Sequence, residues 1–232
     1  MTATLLLIPG LGNTERLFQH QIATFSPLMT VMVADHTRDD SMEAIARRAL
    51  ADAPERFALA GLSMGGYIAM EILRQAPERV ERLALLDTSA RPDPEEAKRN
   101  RERLIGLAEA ARWDEILAEL WPKLVHPRRQ GDEGLKGEVG SQLRETGAAG
   151  YVRQQRAIMG RRDSRELLPG IEIPTLIVVG DGDAITPPEI AREMAEMIEW
   201  SSLIVIRGSG HLTALEEPEQ VTSAMRLWLD RS

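Results

Sequence analysis

Residues 57–75 read FALAGLSMGGYIAMEILRQ. Phe57 to Ala60 is a short apolar run of the kind that forms a strand buried on both faces. Met64 to Gln75 then carries a helical pattern, so a serine, Ser63, stands at the apex of a strand–turn–helix unit. A side chain there projects from a sharp turn with its hydroxyl free to attack. Residues two before and two after the apex must be small, and Gly61 and Gly65 occupy those places. The helix that opens beside Ser63 also offers unpaired backbone N–H groups and the positive end of its dipole.

Working outward, further apolar runs recur at Thr4–Ile8, Val31–Ala34, Leu83–Leu86, Thr175–Val179 and Leu203–Ile206. Helical patterns lie between many of them: Met42–Leu50, with Ile45, Ala46, Ala49 and Leu50 on one stripe, and Glu189–Ile198. Pro218–Leu229 closes the chain as a helix. Alternating strand and helix predicts an α/β fold, a doubly wound, mostly parallel sheet with right-handed crossovers.

The alternation stops between Thr88 and Glu172. This stretch holds no strand pattern. Asp93-Pro94-Glu95-Glu96 reads as a helix start, with Asp93 as cap. Trp113–Trp121 places Ile116, Leu117, Leu120 and Trp121 on one face, and Tyr151–Met159 is a further amphipathic run. The expectation is a core of residues 1–87 and 173–232, with residues 88–172 as a helical lid over the strand ends. Sixteen basic and fifteen acidic residues leave this insertion near neutral, while the whole chain carries a formal charge of −8.

A serine hydroxyl is a poor nucleophile without a base. The chain has four histidines. His211, in Gly208-Ser209-Gly210-His211, follows the last strand and precedes the final helix, which brings it to the sheet edge that carries Ser63. His36 also follows a strand, whereas His20 and His126 fall in helical or irregular segments. The acid that orients the histidine has three candidates at strand ends: Asp183, Asp181 and Asp87. Serine, acid, histidine as the chain order favours His211. Negative charge developing on a carbonyl oxygen needs two backbone N–H donors. Met64, directly after the serine, is one; Leu11, in the loop Ile8-Pro9-Gly10-Leu11-Gly12-Asn13, is the other.

The rest of the composition narrows the classes. The 232 residues are 43% hydrophobic and 28% charged, enough for a core without staples. Without cysteine there are no disulfides, no thiol nucleophile and no thiolate metal site. No metal-ligand cluster or phosphate loop stands out, so neither metal nor cofactor is expected. A pI near 5.2 and the absence of a basic block speak against nucleic acid. No apolar run reaches the roughly 20 residues of a membrane span, and the N-terminus lacks a basic region before its apolar stretch. A cytoplasmic location is the expectation, and oligomeric state is open.

Across essentially its whole length the chain resembles lid-bearing α/β-hydrolases of the bacterial group that includes 3-oxoadipate enol-lactonases, pimeloyl-ester carboxylesterases and cofactor-free haloperoxidases. The likeness is strongest in Ala60–Ala69, Pro174–Pro187 and Gly208–Pro218. The family's G-x-x-D-x-x-x-P maps onto Gly180, Asp183 and Pro187, so the resemblance selects Asp183 as the acid; its Gly-His maps onto Gly210-His211. In the loop after the first strand the family's His-Gly is replaced by Pro9-Gly10. The resemblance implies a serine hydrolase that cleaves small to medium esters or lactones through an acyl-enzyme, with Ser63, His211 and Asp183 as triad. Two other classes remain open: a triad-dependent lyase, which an active-site arginine for a polyanionic substrate would favour, and a receptor on the same fold.

Overall fold

The computed structural model describes residues 4–230. Six parallel strands form one sheet in the order β2-β1-β3-β4-β5-β6: β1 (Thr4–Ile8), β2 (Thr30–Val33), β3 (Phe57–Leu62), β4 (Val80–Leu86), β5 (Thr175–Gly180) and β6 (Ser201–Ile206). Every residue of β1, β3 and β5 is buried. Their side chains alternate between the faces with the strand period of two. Leu6, Leu59, Leu83, Leu85, Ile177 and Val179 enter one core layer. Leu5, Leu7, Ala58, Ala60, Leu86, Leu176 and Val178 enter the other.

Helices cover both faces. Helix α1 (Gln19–Phe25) and the C-terminal helix Pro218–Asp230 contribute Phe25, Val221, Met225 and Trp228 to the second layer. Helices α2 (Met42–Asp52), α3 (Met64–Gln75) and Pro188–Met197 supply Ile45, Ile68, Ile72 and Met194 to the first. Ser41 caps α2 by accepting a hydrogen bond from the Ala44 N–H at 3.3 Å. The chain leaves β1 towards β2 and leaves β3 towards β4, in opposite directions. The crevice between those two strand ends is the switch point where such sheets bind ligands.

Between β4 and β5 the chain forms helices and no strand: α4 (Glu95–Glu109), α5 (Trp113–Leu124), α6 (Glu133–Met159) and 3-10 turns at Pro127–Arg129 and Arg165–Gly170. Helix α6 is broken at Gly147, whose φ of 71° and ψ of 163° are not helical; glycine adopts that conformation at little cost. The insertion has a small cluster of its own, Leu104, Ala108, Ile116, Leu143 and Tyr151. Leu117, Trp121, Val125 and Val139 instead join the second core layer of the body. The expected apolar face of α5 therefore divides between two cores.

One local expectation is corrected. Asp93 does not cap α4, which begins at Glu95 after Pro94 with no side-chain cap. Asp93 is claimed by two arginines, accepting from Arg101 Nε at 2.5 Å and Arg161 Nη1 at 2.6 Å. A guanidinium adds a full opposite charge to the charge-assisted hydrogen bond, which a capping N–H does not. Helices α7 (Pro188–Met197), α8 (Thr213–Glu216) and α9 (Pro218–Asp230) are the remaining α-helices of the described residues. No helix among the described residues is long and apolar enough to cross a membrane.

Candidate active site

Ser63 sits between β3 and α3 with φ 55° and ψ −114°, a conformation that costs a non-glycine residue energy and must be imposed by its surroundings. Its N–H donates to the Leu86 carbonyl at 2.9 Å, and its carbonyl accepts from Thr88 Oγ1 at 2.8 Å. The flanking glycines are sterically required. A Cβ on Gly61 would lie 2.2 Å from the Gly65 carbonyl oxygen, and one on Gly65 would lie 2.0 Å from the Ile8 carbonyl oxygen. The turn is thus pressed between its own helix and the end of β1.

Ser63 Oγ lies 2.8 Å from His211 Nε2, and His211 Nδ1 lies 2.8 Å from Asp183 Oδ2. Both His211 and Asp183 are buried. Burial pushes the Asp183 carboxyl up, but the charge and hydrogen bond of His211 and donors from Thr186 outweigh it, holding the group below its ordinary value. The carboxylate is therefore ionised and can only accept. That fixes Nδ1 of His211 as donor, and in the neutral imidazole it leaves Nε2 with a lone pair towards Ser63. Asp183 also accepts from the N–H of Ile185 (2.8 Å) and Thr186 (2.9 Å) at Oδ1, and from Thr186 Oγ1 (2.8 Å) at Oδ2.

The other acid candidates go elsewhere. Asp181 accepts from the Gly208 N–H and lies 3.9 Å from His126. Asp87 is wholly buried, accepts from the Gly180 N–H and from Thr213, and makes no hydrogen bond to Ser63 or His211. Burial, then the charge of Asp183, push the Asp87 carboxyl well above its ordinary value.

His36 has a different place from the one its strand-end position allows. It is buried, and its Nε2 donates to the Gly10 carbonyl at 3.0 Å, a carbonyl that also accepts from the Asn13 N–H at 3.2 Å. In a planar trans peptide, C=O and N–H point in opposite directions. Pinning the Gly10 carbonyl therefore aims the Leu11 N–H the other way. That N–H has no protein partner among the described residues, and neither does that of Met64 at the start of α3. The Gly10 backbone lies against the serine turn: a Cβ built on it would be 3.5 Å from Ser63 Cβ. His20 is partly buried and bonds to Thr222.

Residues not recognised from the sequence brace both loops. Gln154 Oε1 accepts from the Gly12 N–H at 3.0 Å, and Gln142 Oε1 accepts from the Thr14 N–H at 3.0 Å; the two glutamines lie on either side of the Gly147 break and are fully buried. The His211 N–H donates to the Leu124 carbonyl of α5 at 2.9 Å. Buried Glu216 accepts from the Gly210 N–H (2.7 Å) and the Leu212 N–H (3.4 Å), and from the His126 N–H at its other oxygen. These are contacts between residues far apart in the chain, with no local signal except the proximity of Glu216 to the histidine.

Ser63 and His211 open into a cavity of about 90 Å³. Its wall is mostly apolar, and the insertion supplies most of the apolar side chains: Leu117, Leu120, Leu124, Val139, Leu143, Tyr151 and Ile158, joined by Leu11, Ile185 and Leu212 from the body. Arg101 also lines it.

Residues 5–224 match the model of the alpha/beta hydrolase family. A pimeloyl-[acyl-carrier protein] methyl ester esterase of Neisseria meningitidis is 26% identical over 172 residues, covering 72% of this chain and 54% of that protein. The chain thus spans about half the length of that curated relative. Among solved structures, a thermophilic esterase from Thermogutta terrifontis, determined with malate bound, is 31% identical with a TM-score of 0.89, covering 97% of this chain and 89% of that one. The enol-lactonase of Burkholderia xenovorans shares the fold at 22% identity, TM-score 0.88, over 100% of this chain and 92% of its own. The chain belongs to the alpha/beta hydrolase family.

Proposed function

We propose that the protein is a serine hydrolase that cleaves carboxylic esters or lactones with small to medium acyl groups through an acyl-enzyme. The observation that carries this reading is the unbroken hydrogen-bonded chain Ser63–His211–Asp183 at the floor of an apolar cavity. In this reading His211 Nε2 takes the Ser63 proton as Oγ attacks the carbonyl, and ionised Asp183 holds the Nδ1–H tautomer and stabilises the imidazolium. The N–H groups of Leu11 and Met64 receive the oxyanion. His211 returns the proton to the leaving alkoxide, and water repeats the sequence to release the acid. The insertion, residues 88–172, acts as lid to the core of residues 1–87 and 173–232. Its apolar residues select the acyl group.

The lyase reading calls for cationic groups to meet a polyanion. The cavity presents one guanidinium, already shared with Asp93, which favours the hydrolase. The test is Ser63→Ala alongside labelling with a fluorophosphonate. Turnover of p-nitrophenyl butyrate should fall by on the order of a millionfold, with the wild-type adduct on Ser63 in peptide mass spectra. A label on another serine, or near-normal turnover in the variant, would sink the assignment.

A further inference from the structure

Arg101 is the one Lys, Arg, Asp or Glu side chain among the residues lining the Ser63 cavity. Its protein partners do not exhaust it. Nε donates to Asp93 Oδ2 at 2.5 Å, Nη1 to Gln155 Oε1 at 2.9 Å, and Nη2 distantly to Asp93 Oδ1 at 3.4 Å. A guanidinium has five N–H donors, so one hydrogen on each terminal nitrogen has no partner among the described residues. Nor is its charge cancelled. Asp93 is shared with Arg161, which lies 2.6 Å away and stacks 4.2 Å above the Tyr67 ring. Two guanidinium groups against one carboxylate leave a net positive charge.

Next to Arg101 a second donor is held ready. Gln155, fully buried, accepts from Arg101 through its oxygen and donates through its nitrogen to Tyr151 Oη at 2.8 Å. Tyr151 lines the same cavity. Burial pushes its phenol up to about 12, so it keeps its proton at neutral pH. That proton has no acceptor among the described residues. The Arg101–Gln155–Tyr151 chain thus ends in unspent donors among residues lining a cavity whose other side chains are mostly apolar. An aliphatic guest would leave those donors facing hydrocarbon, at a cost. A planar anion would satisfy them.

We infer that the natural substrate carries a carboxylate distant from the scissile ester or lactone bond, and that Arg101 binds it within the insertion-lined cavity. Arg101 is then a specificity residue. The inference rests on the serine-hydrolase reading above and names the substrate class for that site: a half-ester, or a lactone or ester bearing one free acid. The single, partly shared guanidinium matches one carboxylate.

The test compares monoethyl succinate, glutarate and adipate with their diethyl counterparts, following acid release by pH-stat. A second arm sets 4-acetoxybutyrate against its methyl ester, which places the acid on the alcohol side. In the wild type, at least one free acid should exceed its capped form in kcat/KM by about 10- to 100-fold, the range of a charge-assisted hydrogen bond. Arg101→Gln should erase that ratio, and Arg101→Lys, which keeps the charge without the fork, should reduce it. Arg103→Gln is the control, because Arg103 pairs with Glu119 and lies outside the cavity wall. Capped esters turning over as well as every free acid in the wild type, or a preference that survives in Arg101→Gln, overturns the inference. Should Arg101→Gln fail to fold, the wild-type comparison alone decides. Failure of the hydrolase reading looks different: no ester of either kind is cleaved, and the fluorophosphonate leaves Ser63 unlabelled.

Discussion

Replacing Asp183 by asparagine separates the electrostatic role of the acid from its packing. The substituted amide has only one oxygen to accept with, and the structure decides where it goes. The N–H groups of Ile185 and Thr186 converge on Oδ1 at 2.8 and 2.9 Å. An amide NH2 turned towards them would oppose two donors, so the asparagine oxygen must stay there. The NH2 then takes the place of Oδ2 and faces His211 Nδ1, 2.8 Å away in the wild type. It donates, Nδ1 must accept, and the imidazole proton moves to Nε2, where it points at Ser63 and blocks proton transfer. The same tautomeric error in a serine protease costs roughly 10⁴ in kcat, about 5 kcal/mol of transition-state stabilisation. We expect a loss of that order in p-nitrophenyl butyrate hydrolysis at pH 7.5, with a thermal melt showing the variant folded. Asp181→Asn should stay within about twofold, because its exposed side chain keeps an acceptor for the Gly208 N–H. Equal losses at Asp181 and Asp183, or a folded Asp183→Asn with wild-type turnover, would refute the reasoning.

Three further outcomes follow from the same contacts. Gln154→Met removes the acceptor of the Gly12 N–H and loosens the loop carrying Leu11; kcat should fall by about 10- to 100-fold with KM little changed, and a loss confined to KM would contradict a role in aiming that loop. Because burial raises the Asp87 carboxyl, the stability it contributes is complete below the ordinary carboxylate range and is lost as pH rises through the elevated value. The urea midpoint of Asp87→Asn should therefore gain on that of the wild type between pH 4 and pH 8, and a difference constant with pH would count against it. Leu117→Ala and Leu120→Ala enlarge the cavity; burial of a leucine-sized group is worth about 1.5–3 kcal/mol, so preference within a p-nitrophenyl ester series should move towards longer acyl chains by roughly tenfold or more. An unchanged profile in both variants would assign those side chains to packing alone.

The sheet was legible because each inner strand is apolar on both faces, and that pattern survives in composition. Strand ends were less so. Strand β6 begins at Ser201, where polar side chains at the sheet edge carry no apolar signal, and β3 runs on through Gly61 and Leu62. Helix α1 (QHQIATF) buries only Gln21 and Phe25, too little for a stripe. The first half of α6 is masked by Gly134, Gly137 and Gly140. Ser63, His211 and Asp183, which the structure joins in one hydrogen-bonded chain, each follow a strand at one sheet edge; that position left Asp181 and Asp87 as rivals, and only the family resemblance singled out Asp183. Thr186, which donates to Asp183 Oδ2, sat unread in the same loop. Gln142, Gln154 and Arg101 act on partners or a cavity that exist only once the insertion is packed. The expected Asp93 cap failed for a related reason: Arg161, 68 residues away, outbids a backbone N–H.

The insertion meets the body through the glutamines of α6, through the Leu124 carbonyl that receives the His211 N–H, and through the His126 N–H held by Glu216. The same segment that walls the cavity is therefore a buttress for the two loops flanking Ser63. A chimaera that borrowed residues 88–172 from a relative would import a new chamber and, unless matching glutamines came with it, leave the Gly12 and Thr14 N–H groups without their acceptors. On the proposed reading, selectivity and turnover are inherited as one piece, and directed evolution of specificity should find compensating changes in the loop around Gly12 rather than in the chamber alone.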